Sequence, residues 1–424
     1  MVHVHCGVLP SETLALQGLQ EAHDTRQWPH VVTLGDAWLE AQGEMPAVAA
    51  TLYAEGLMVA GRVEEAVLWS GRAVNAIPAA FAVPRIAALT TYGRALARAG
   101  AYDKARTALA QAVKIPTDHA ETQEKQGHII CAISDKWRKG WALQEKRLAE
   151  PEKALPENFR AWDGRTAEPV SILHEQGIGD AVLFARWAPQ IAKMTGHAVT
   201  WYGPKVLHRW MADIPGVVLG DWEVLEENRE GGAGVRAMSL PHVLRCNSKW
   251  DVPTPVAPLQ LQDTRAAFRP STALTVGVCW KGSASGWHDF ERSYTAEQFA
   301  QLWAPRQDVQ FVNLCHDADV PDDAPFAKTE YADIYACGEA VAACDIVITV
   351  DTSVVHMAGS LGIPTICLVP TVADWRFAWP AGNNTPFYPS VTVVRRRNIR
   401  DLSAIDTARR MLDAWIHAKQ QVAA

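Results

Sequence analysis

At 424 residues, of which 48% are hydrophobic and 21% charged, the chain has the composition of a globular protein and is long for one hydrophobic core, so two or three domains are expected. A net charge of -7 and a pI near 6.1 exclude a general binder of nucleic acid or anionic membrane, which needs a basic field to exchange for phosphate counterions. The eight cysteines form no C-x-x-C pair and several lie in apolar runs, which points to reduced thiols in a reducing compartment. The first residues, "MVHVHCGVLP", carry no basic region followed by an apolar core, and no stretch approaches about 18 uncharged apolar residues. A cytoplasmic location and no transmembrane segment are therefore expected.

Residues 12 to about 150 read as helices with an internal period near 34 residues. "GRVEEAVLWSGRAVNAIP" (61–78) and "GAYDKARTALAQAVKIP" (100–116) align. Each opens with glycine at a turn between helices and places a small residue, Ala66 or Ala105, where helices approach. Each repeats it seven residues on, at Ala73 or Ala112, and closes on Pro78 or Pro116, which removes a backbone donor and stops the second helix. Looser units surround Trp28 and "DKWRKGWALQEKRLAEP". Three to four such pairs make a short curved array; the plainer alternative is a helical bundle with accidental spacing.

After residue 150 strands alternate with helices. "VSILHEQ", "AVTWYGP" and "VVLG" form one βα series; the proline-rich "DVPTPVAPLQLQDT" (251–264) reads as a linker. A second series holds "LTVGVCW", "VQFVNLC", "DIVITV", "TICLVP" and "VTVVRR", and "LSAIDTARRMLDAWIHAKQQ" reads as a long amphipathic helix. Two Rossmann-like domains in succession place a ligand cleft between the carboxyl ends of two mainly parallel sheets. The expected architecture is α plus α/β: a helical repeat domain over 1–150, a first Rossmann-like α/β domain over 151–262, and a second over 263–424.

Three stretches carry candidate chemistry. In "HEQGIGDAVLFARW", Gly177 and Gly179 match two positions of a dinucleotide fingerprint, but Val182 stands at the third and the next strand ends in "TWYG" without a ribose-binding acid, so a dehydrogenase is excluded. The glycines still permit a tight turn and close backbone approach. Asp180 is either an N-cap or a general base, with Glu175 its rival and Gln176 a loop or acceptor contact. In "DIVITVDTSVVHMAGSLG", Asp351 ends a strand, Thr352 and Ser353 open a helix whose free N–H groups suit a diphosphate, and His356 falls on the face of Thr352. The plainer alternative is a capped turn with a core-facing histidine. In "VGVCWKGSASGWHDFERSYT", Lys281 and Arg292, with His288 and Ser293, either neutralise a leaving diphosphate or form a solvated loop.

These motifs, with "GWALQEKR", "WDG", "DWRFAWP" and "FYPSV" in the same order, make the chain resemble the bacterial tetratricopeptide-containing glycosyltransferases, which are similar to heptosyltransferases and share their GT-B fold. The resemblance covers nearly the whole chain. It implies an inverting, metal-independent transfer from a nucleotide sugar, with no cofactor. By position it implies Asp180 as base in a Gly179–Asp180 turn. Asp351, Thr352 and His356 would hold donor sugar and diphosphate, Arg292 and Ser293 match an Arg-Ser pair, and Trp375 and Arg376 lie near the nucleotide.

Lys281 departs from the family's usual small residue, so its phosphate role rests on charge alone. Asp317-Ala318-Asp319 is a D-x-D of the type that binds Mn²⁺ in another glycosyltransferase fold; with Asp322 and Asp323 beside it, it reads as a solvated loop. "RRRNIR" (395–400) is a solvated segment or a contact for an anionic acceptor, and His3, His5 and Cys6 lack a fourth ligand for a metal. The helical repeats imply a protein or peptide acceptor. A lipid-linked or saccharide acceptor, or a scaffold that binds nucleotide sugar without turnover, is the alternative. Donor base, sugar and oligomeric state are not encoded in any of these motifs.

Overall fold

The computed structural model describes residues 10–220, 232–267, 273–282, 289–303, 309–316, 320–322, 324–326, 328–377, 383–396 and 401–423. His3, His5, Cys6, His288, Asp317, Ala318, Asp319, Asp323 and positions 397–400 of the basic run lie outside them. The chain divides into two compact units, the first reaching Ile129 and the second beginning at Ile130.

The first unit is helical: α1 (Pro10–Asp24), α2 (Trp28–Gln42), α3 (Ala47–Val59), α4 (Val63–Ala76), α5 (Ala82–Arg98), α6 (Tyr102–Ala112) and most of α7 (Ala120–Ile133). The repeat is visible in the backbone. Arg26, Gly61 and Gly100 each adopt the left-handed conformation, with φ of 60°, 77° and 79°. Each closes the same turn, through Gln27 N–H to Ala22 (2.8 Å), Arg62 N–H to Leu57 (2.9 Å) and Ala101 N–H to Leu96 (2.9 Å). This is one helix-ending motif used three times. The second interval is longer than the first because α5 has 17 residues and α3 has 13. Ala66, Ala73, Ala105 and Ala112 are all buried, as expected of positions where helices touch. Pro116 does not end its helix: α6 stops at Ala112, where the Gln126 side chain donates to the Ala112 and Ile115 carbonyls (2.9 Å each).

The second unit holds α8 (Trp137–Gln144) and two sheets. In the first, β1 (Arg160–Ala161), β2 (Val170–Leu173), β3 (Val199–Tyr202), β4 (Val217–Leu219) and β5 (Ala233–Arg236) run parallel in the order β1-β5-β2-β3-β4. In the second, β6 (Leu274–Cys279), β7 (Val309–Asn313), β8 (Ile346–Val350), β9 (Thr365–Pro370), β10 (Asn384–Thr385) and β11 (Tyr388–Arg396) lie in the order β10-β11-β9-β8-β6-β7, with only β10 antiparallel. These are two Rossmann-like domains preceded by helical pairs. Their strands are apolar runs because parallel strands are covered on both faces.

Two elements differ from the expectation. β5 is an interior strand between β1 and β2, yet "AGVR" carries no run of large apolar residues; Gly234 is needed there because the Phe159 ring lies where a side chain would begin, 2.7 Å from an ideal Cβ. The last residues of the expected linker (251–264) open a helix, Leu259–Ala267, whose Leu261 is buried beside Trp210 and Gly338. Among the described residues no helix is long and apolar enough to cross a membrane.

Candidate functional site

Strand order changes direction at β2 in the first sheet and between β6 and β8 in the second, and ligands of open α/β sheets bind at such points. The loops leaving β2, β6, β8 and β9 carry the candidate residues.

After β2 the chain turns into α9 (Ile178–Phe184). The left-handed residue of this turn is Gln176, with φ 65°, whereas Gly177 has an ordinary φ of -84° and is the N-cap. A non-glycine residue held at positive φ is uncommon and marks a constrained site. Asp180 is therefore not the N-cap but sits three residues inside it, where its Oδ2 accepts the Gly177 N–H at 2.9 Å. Gly179 is required for a different reason from turning: an added Cβ would lie 2.8 Å from His356 Cδ2 and 3.3 Å from Ser353 Cα. Two helix starts, one from each sheet, meet face to face at this glycine.

Glu175 is fully committed. Arg147, completely buried, donates from Nη2 to Oε1 (2.7 Å) and from Nε to Oε2 (3.1 Å), while Met238 N–H donates to Oε1 (2.8 Å). Both oxygens are taken, so this carboxylate ties the loop to the segment after α8 and to the end of β5. Glu175 thus holds the loop in place; like Asp180, it has each carboxylate oxygen in a hydrogen bond.

Beyond β8, Thr352 caps the helix Ser353–Ser360 by accepting the Val354 N–H (3.3 Å), and Ser353 is the first helical residue. His356 is buried, with Nδ1 3.0 Å from the Tyr388 hydroxyl. Burial first, then the positive charges of Arg376 and Arg186, hold its pKa down to about 3, so the imidazole is neutral. Asp351 is half-buried. Desolvation first, then repulsion from Asp374, pushes its carboxyl up to about 7, against the pull of Arg292 and Arg376.

Arg292 Nη1 donates to the Asp351 carbonyl (2.7 Å) and its Nε to Asp289 Oδ1 (3.1 Å). The Ser293 hydroxyl donates to Asp289 Oδ1 and accepts the Gly282 N–H, both at 2.9 Å. The Arg-Ser pair thus pins the end of the β6 loop, next to half-buried Lys281, against the end of β8.

After β9, Arg376 is buried and joins the sheets: Nη2 donates to Asp180 Oδ1, and Nη1 donates to Asp374 Oδ1 at 2.7 Å. Its Nε, also buried, has no hydrogen-bond partner among the described residues. Trp375 is packed among protein side chains. It is 2% exposed, edge-on to Trp141 at 4.8 Å and Phe387 at 5.4 Å, and its ring lies 4.4 Å beneath the Arg376 guanidinium. Sequence reasoning missed Asp374, Tyr388, Arg147 and Arg186. Arg186, buried, donates to the Phe387 carbonyl (2.9 Å) and lies over the Tyr388 ring (4.7 Å). All four lie within quoted motifs, Arg147 in "GWALQEKR", Arg186 in "HEQGIGDAVLFARW", Asp374 in "DWRFAWP" and Tyr388 in "FYPSV", but nothing in those motifs told what each would touch.

The candidates thus converge on two carboxylates, Asp180 and Asp351, with a neutral histidine, two arginines and a hydroxyl-capped helix start. Among the described residues no group of three or more His, Cys, Asp or Glu side chains could hold a metal ion. A surface groove of about 550 Å³, lined by Asp135, Lys136, Arg138, Lys139, Ala142 and Asn247, shares none of these residues.

No protein-family model and no curated protein matches the sequence. Among solved structures the chain is similar to a glycosyl transferase family 9 protein from Veillonella parvula, at 13% identity over 56% of this chain and 88% of that one, with a TM-score of 0.39. It is similar to the E. coli heptosyltransferase WaaC with ADP-2-deoxy-2-fluoro heptose (11% identity, 58% and 99% covered, TM-score 0.40). An O-GlcNAc transferase mutant from Thermobaculum terrenum covers 96% of this chain and 93% of its own, at 12% identity and a TM-score of 0.35. Similarity at this level assigns no activity to this chain.

Proposed function

We propose that the protein is an inverting glycosyltransferase that needs no metal and moves a sugar from a nucleotide-diphosphate donor to an acceptor hydroxyl. The observation that carries this reading is the meeting of Asp180, on the first sheet's switch-point loop, with Arg376 and the Ser353 helix start on the second. Asp180 takes the proton of the acceptor hydroxyl, which attacks the anomeric carbon from the side opposite the diphosphate. The positive end of the Ser353 helix, with Arg292 and Lys281, stabilises the leaving diphosphate, as oriented dipoles and cations do wherever charge develops. Asp351 and neutral His356 contact the donor sugar.

The helical pairs of the first unit favour a protein or peptide acceptor, because stacked pairs offer an extended docking surface; a lipid-linked or saccharide acceptor is the alternative. A second reading, a scaffold that binds nucleotide sugar without turnover, is favoured by one observation: both Asp180 oxygens are already occupied, by Gly177 N–H and Arg376.

A nucleotide-sugar panel read by thermal shift identifies the donor, since a ligand that binds only the folded state raises its stability. Donor hydrolysis and transfer are then measured with and without EDTA. Turnover unchanged by EDTA and lost in Asp180→Ala supports the enzyme. Binding without any turnover supports the scaffold, and activity that disappears in EDTA overturns the metal-free mechanism.

A further inference from the structure

Two thiols stand beside the candidate site without a part in it. Cys279 ends β6 and Cys315 follows β7, both are buried, and the Cys315 thiol donates to the Cys279 sulfur across 3.6 Å. No other pair of described cysteines makes a sulfur–sulfur contact; Cys131, Cys246, Cys337, Cys344 and Cys367 are buried and free.

The backbone permits a closer union. β6 and β7 are parallel with Val278 opposite Asn313, and Leu314 N–H donates to the Val278 carbonyl at 2.8 Å, which extends the pairing past the end of β7. Cys315 is thus one step along from the direct neighbour of Cys279. Strands about 4.8 Å apart, offset by one residue of about 3.3 Å, put the two Cα atoms roughly 6 Å apart. Disulfides span Cα separations of about 4.4–6.8 Å, and the sulfurs have to close to about 2.05 Å.

Polar contacts prepare the two sulfurs differently. Cys279 touches the Thr352 hydroxyl (3.7 Å) and the Lys281 carbonyl (3.5 Å), while the Trp280 N–H donates to Cys315 (3.1 Å). The Cys315 thiol and the Thr352 hydroxyl favour the thiolate of Cys279, whose pKa lies below the ordinary value; Cys315, desolvated and beside that negative charge, lies above it. Whichever sulfur attacks first, its partner 3.6 Å away is placed to resolve it.

The geometry points to a redox site: Cys279 and Cys315 are a dithiol that a peroxide converts to a reversible intramolecular disulfide. In the first step the Cys279 thiolate attacks one peroxide oxygen, the O–O bond breaks, and the departing hydroxide takes up a proton as water, leaving a sulfenic acid. In the second the Cys315 sulfur attacks that sulfenic sulfur; the S–S bond forms, the S–O bond breaks, and the hydroxyl leaves with the Cys315 proton as a second water. Two thiols and one peroxide give one disulfide and two waters. In a reducing compartment such a bond is transient. Closing it draws the Cys279 sulfur toward Cys315 and away from Thr352, the cap of the Ser353 helix, so the thiol state is felt at the candidate site.

The test uses the full-length native protein exposed to hydrogen peroxide, then alkylated in denaturant with iodoacetamide and mapped by peptide mass. The expected result is a single cross-link between the peptides carrying Cys279 and Cys315, fully reversed by dithiothreitol, with the other cysteines alkylated. Cys279→Ser and Cys315→Ser each abolish it. Recovery of both thiols as alkylated peptides overturns the proposal. So does a cross-link to any other cysteine, or oxidation that stops at sulfinic or sulfonic acid. The decisive reading comes from the unsubstituted chain, so a variant that fails to fold leaves the test intact, and a mass readout is independent of any glycosyl transfer.

Discussion

Asp180 and Arg376, carried by different sheets, form an ion pair in which the carboxylate also accepts the Gly177 N–H and the guanidinium also holds Asp374. The proposed base is therefore oriented by two donors, and the acceptor hydroxyl has to reach it beside a fixed cation. Such a pair positions the carboxylate well, yet removing one partner leaves the other charge buried.

Asp180→Asn keeps the shape and an acceptor for Gly177 N–H but cannot take a proton. Transfer should fall by roughly 10²–10⁴-fold, the range for loss of a general base. Donor affinity, measured by thermal shift, should change far less. A variant that retains near-normal transfer would remove Asp180 from the mechanism.

Glu175→Gln separates the two carboxylates of the β2 loop. Its cost belongs to stability, on the order of 3 kcal/mol, because Arg147 is left buried without its main counter-charge. Urea denaturation should reveal this loss, and the transfer rate of the folded variant should stay within about tenfold of the wild type. Abolished transfer at unchanged stability would point to Glu175 as the base.

The outcome at these two acids shows what local sequence carries. Gly61, Gly100 and the paired alanines were legible because a repeat reuses the same turn and contact at each step. Most strands were legible because burial on both faces demands an apolar run. β5 was not, since its small residues are dictated by the Phe159 ring packed on Gly234. Trp375 and Glu175 had residue types suited to ligand and proton chemistry, but their partners, Trp141 and Arg147, come from α8 and the turn after it, distant in sequence. Chemistry-bearing residue types could be read along the chain; whether each faces ligand or protein depended on such distant contacts.

Asp351 and His356 give stability opposite pH dependences. The Asp351 pKa rises from 3.8 to about 7 on folding, so its contribution is complete below about pH 4 and lost as pH rises through 7. Asp351→Asn, which cannot ionise, should gain on the wild type across that window, by on the order of 2 kcal/mol at pH 8 once partial exposure is allowed for. His356 falls from 6.5 to about 3, so its contribution is complete above about pH 6.5 and lost as pH falls toward 3. His356→Asn should flatten the acid limb. Tm measured from about pH 4 to 8 for the three proteins checks both signs; an Asp351→Asn advantage that does not grow with pH would contradict the first.

Gly179→Ala tests the contact between the two helix starts. The new methyl meets the Ser353 backbone as well as the His356 ring, and backbone cannot swing aside, so α9 and the Ser353 helix have to separate. A loss of about 1–3 kcal/mol is expected, as for overpacking elsewhere. Transfer should suffer beyond that, since Asp180 is the next residue and moves with α9. Unchanged stability and rate would mean that the two helix starts are not held at this distance in solution.

Arg376→Lys asks whether charge alone suffices at the centre of the site. One ammonium has to replace a planar fork that serves Asp180 and Asp374 at once and sits 4.4 Å over the Trp375 ring. It can satisfy one carboxylate well, and the unserved Asp374 or Asp180 then repels Asp351 more strongly. Stability should fall by about 2 kcal/mol, with a larger fall in Arg376→Ala. In a double-mutant cycle, Asp180→Asn combined with Arg376→Ala should lose less than the two single changes together, with a coupling of about 1–3 kcal/mol by denaturant unfolding. Additivity within about 0.5 kcal/mol would show that the pair contributes little to holding the sheets' loops together, and Arg376 would then act through Asp374 alone.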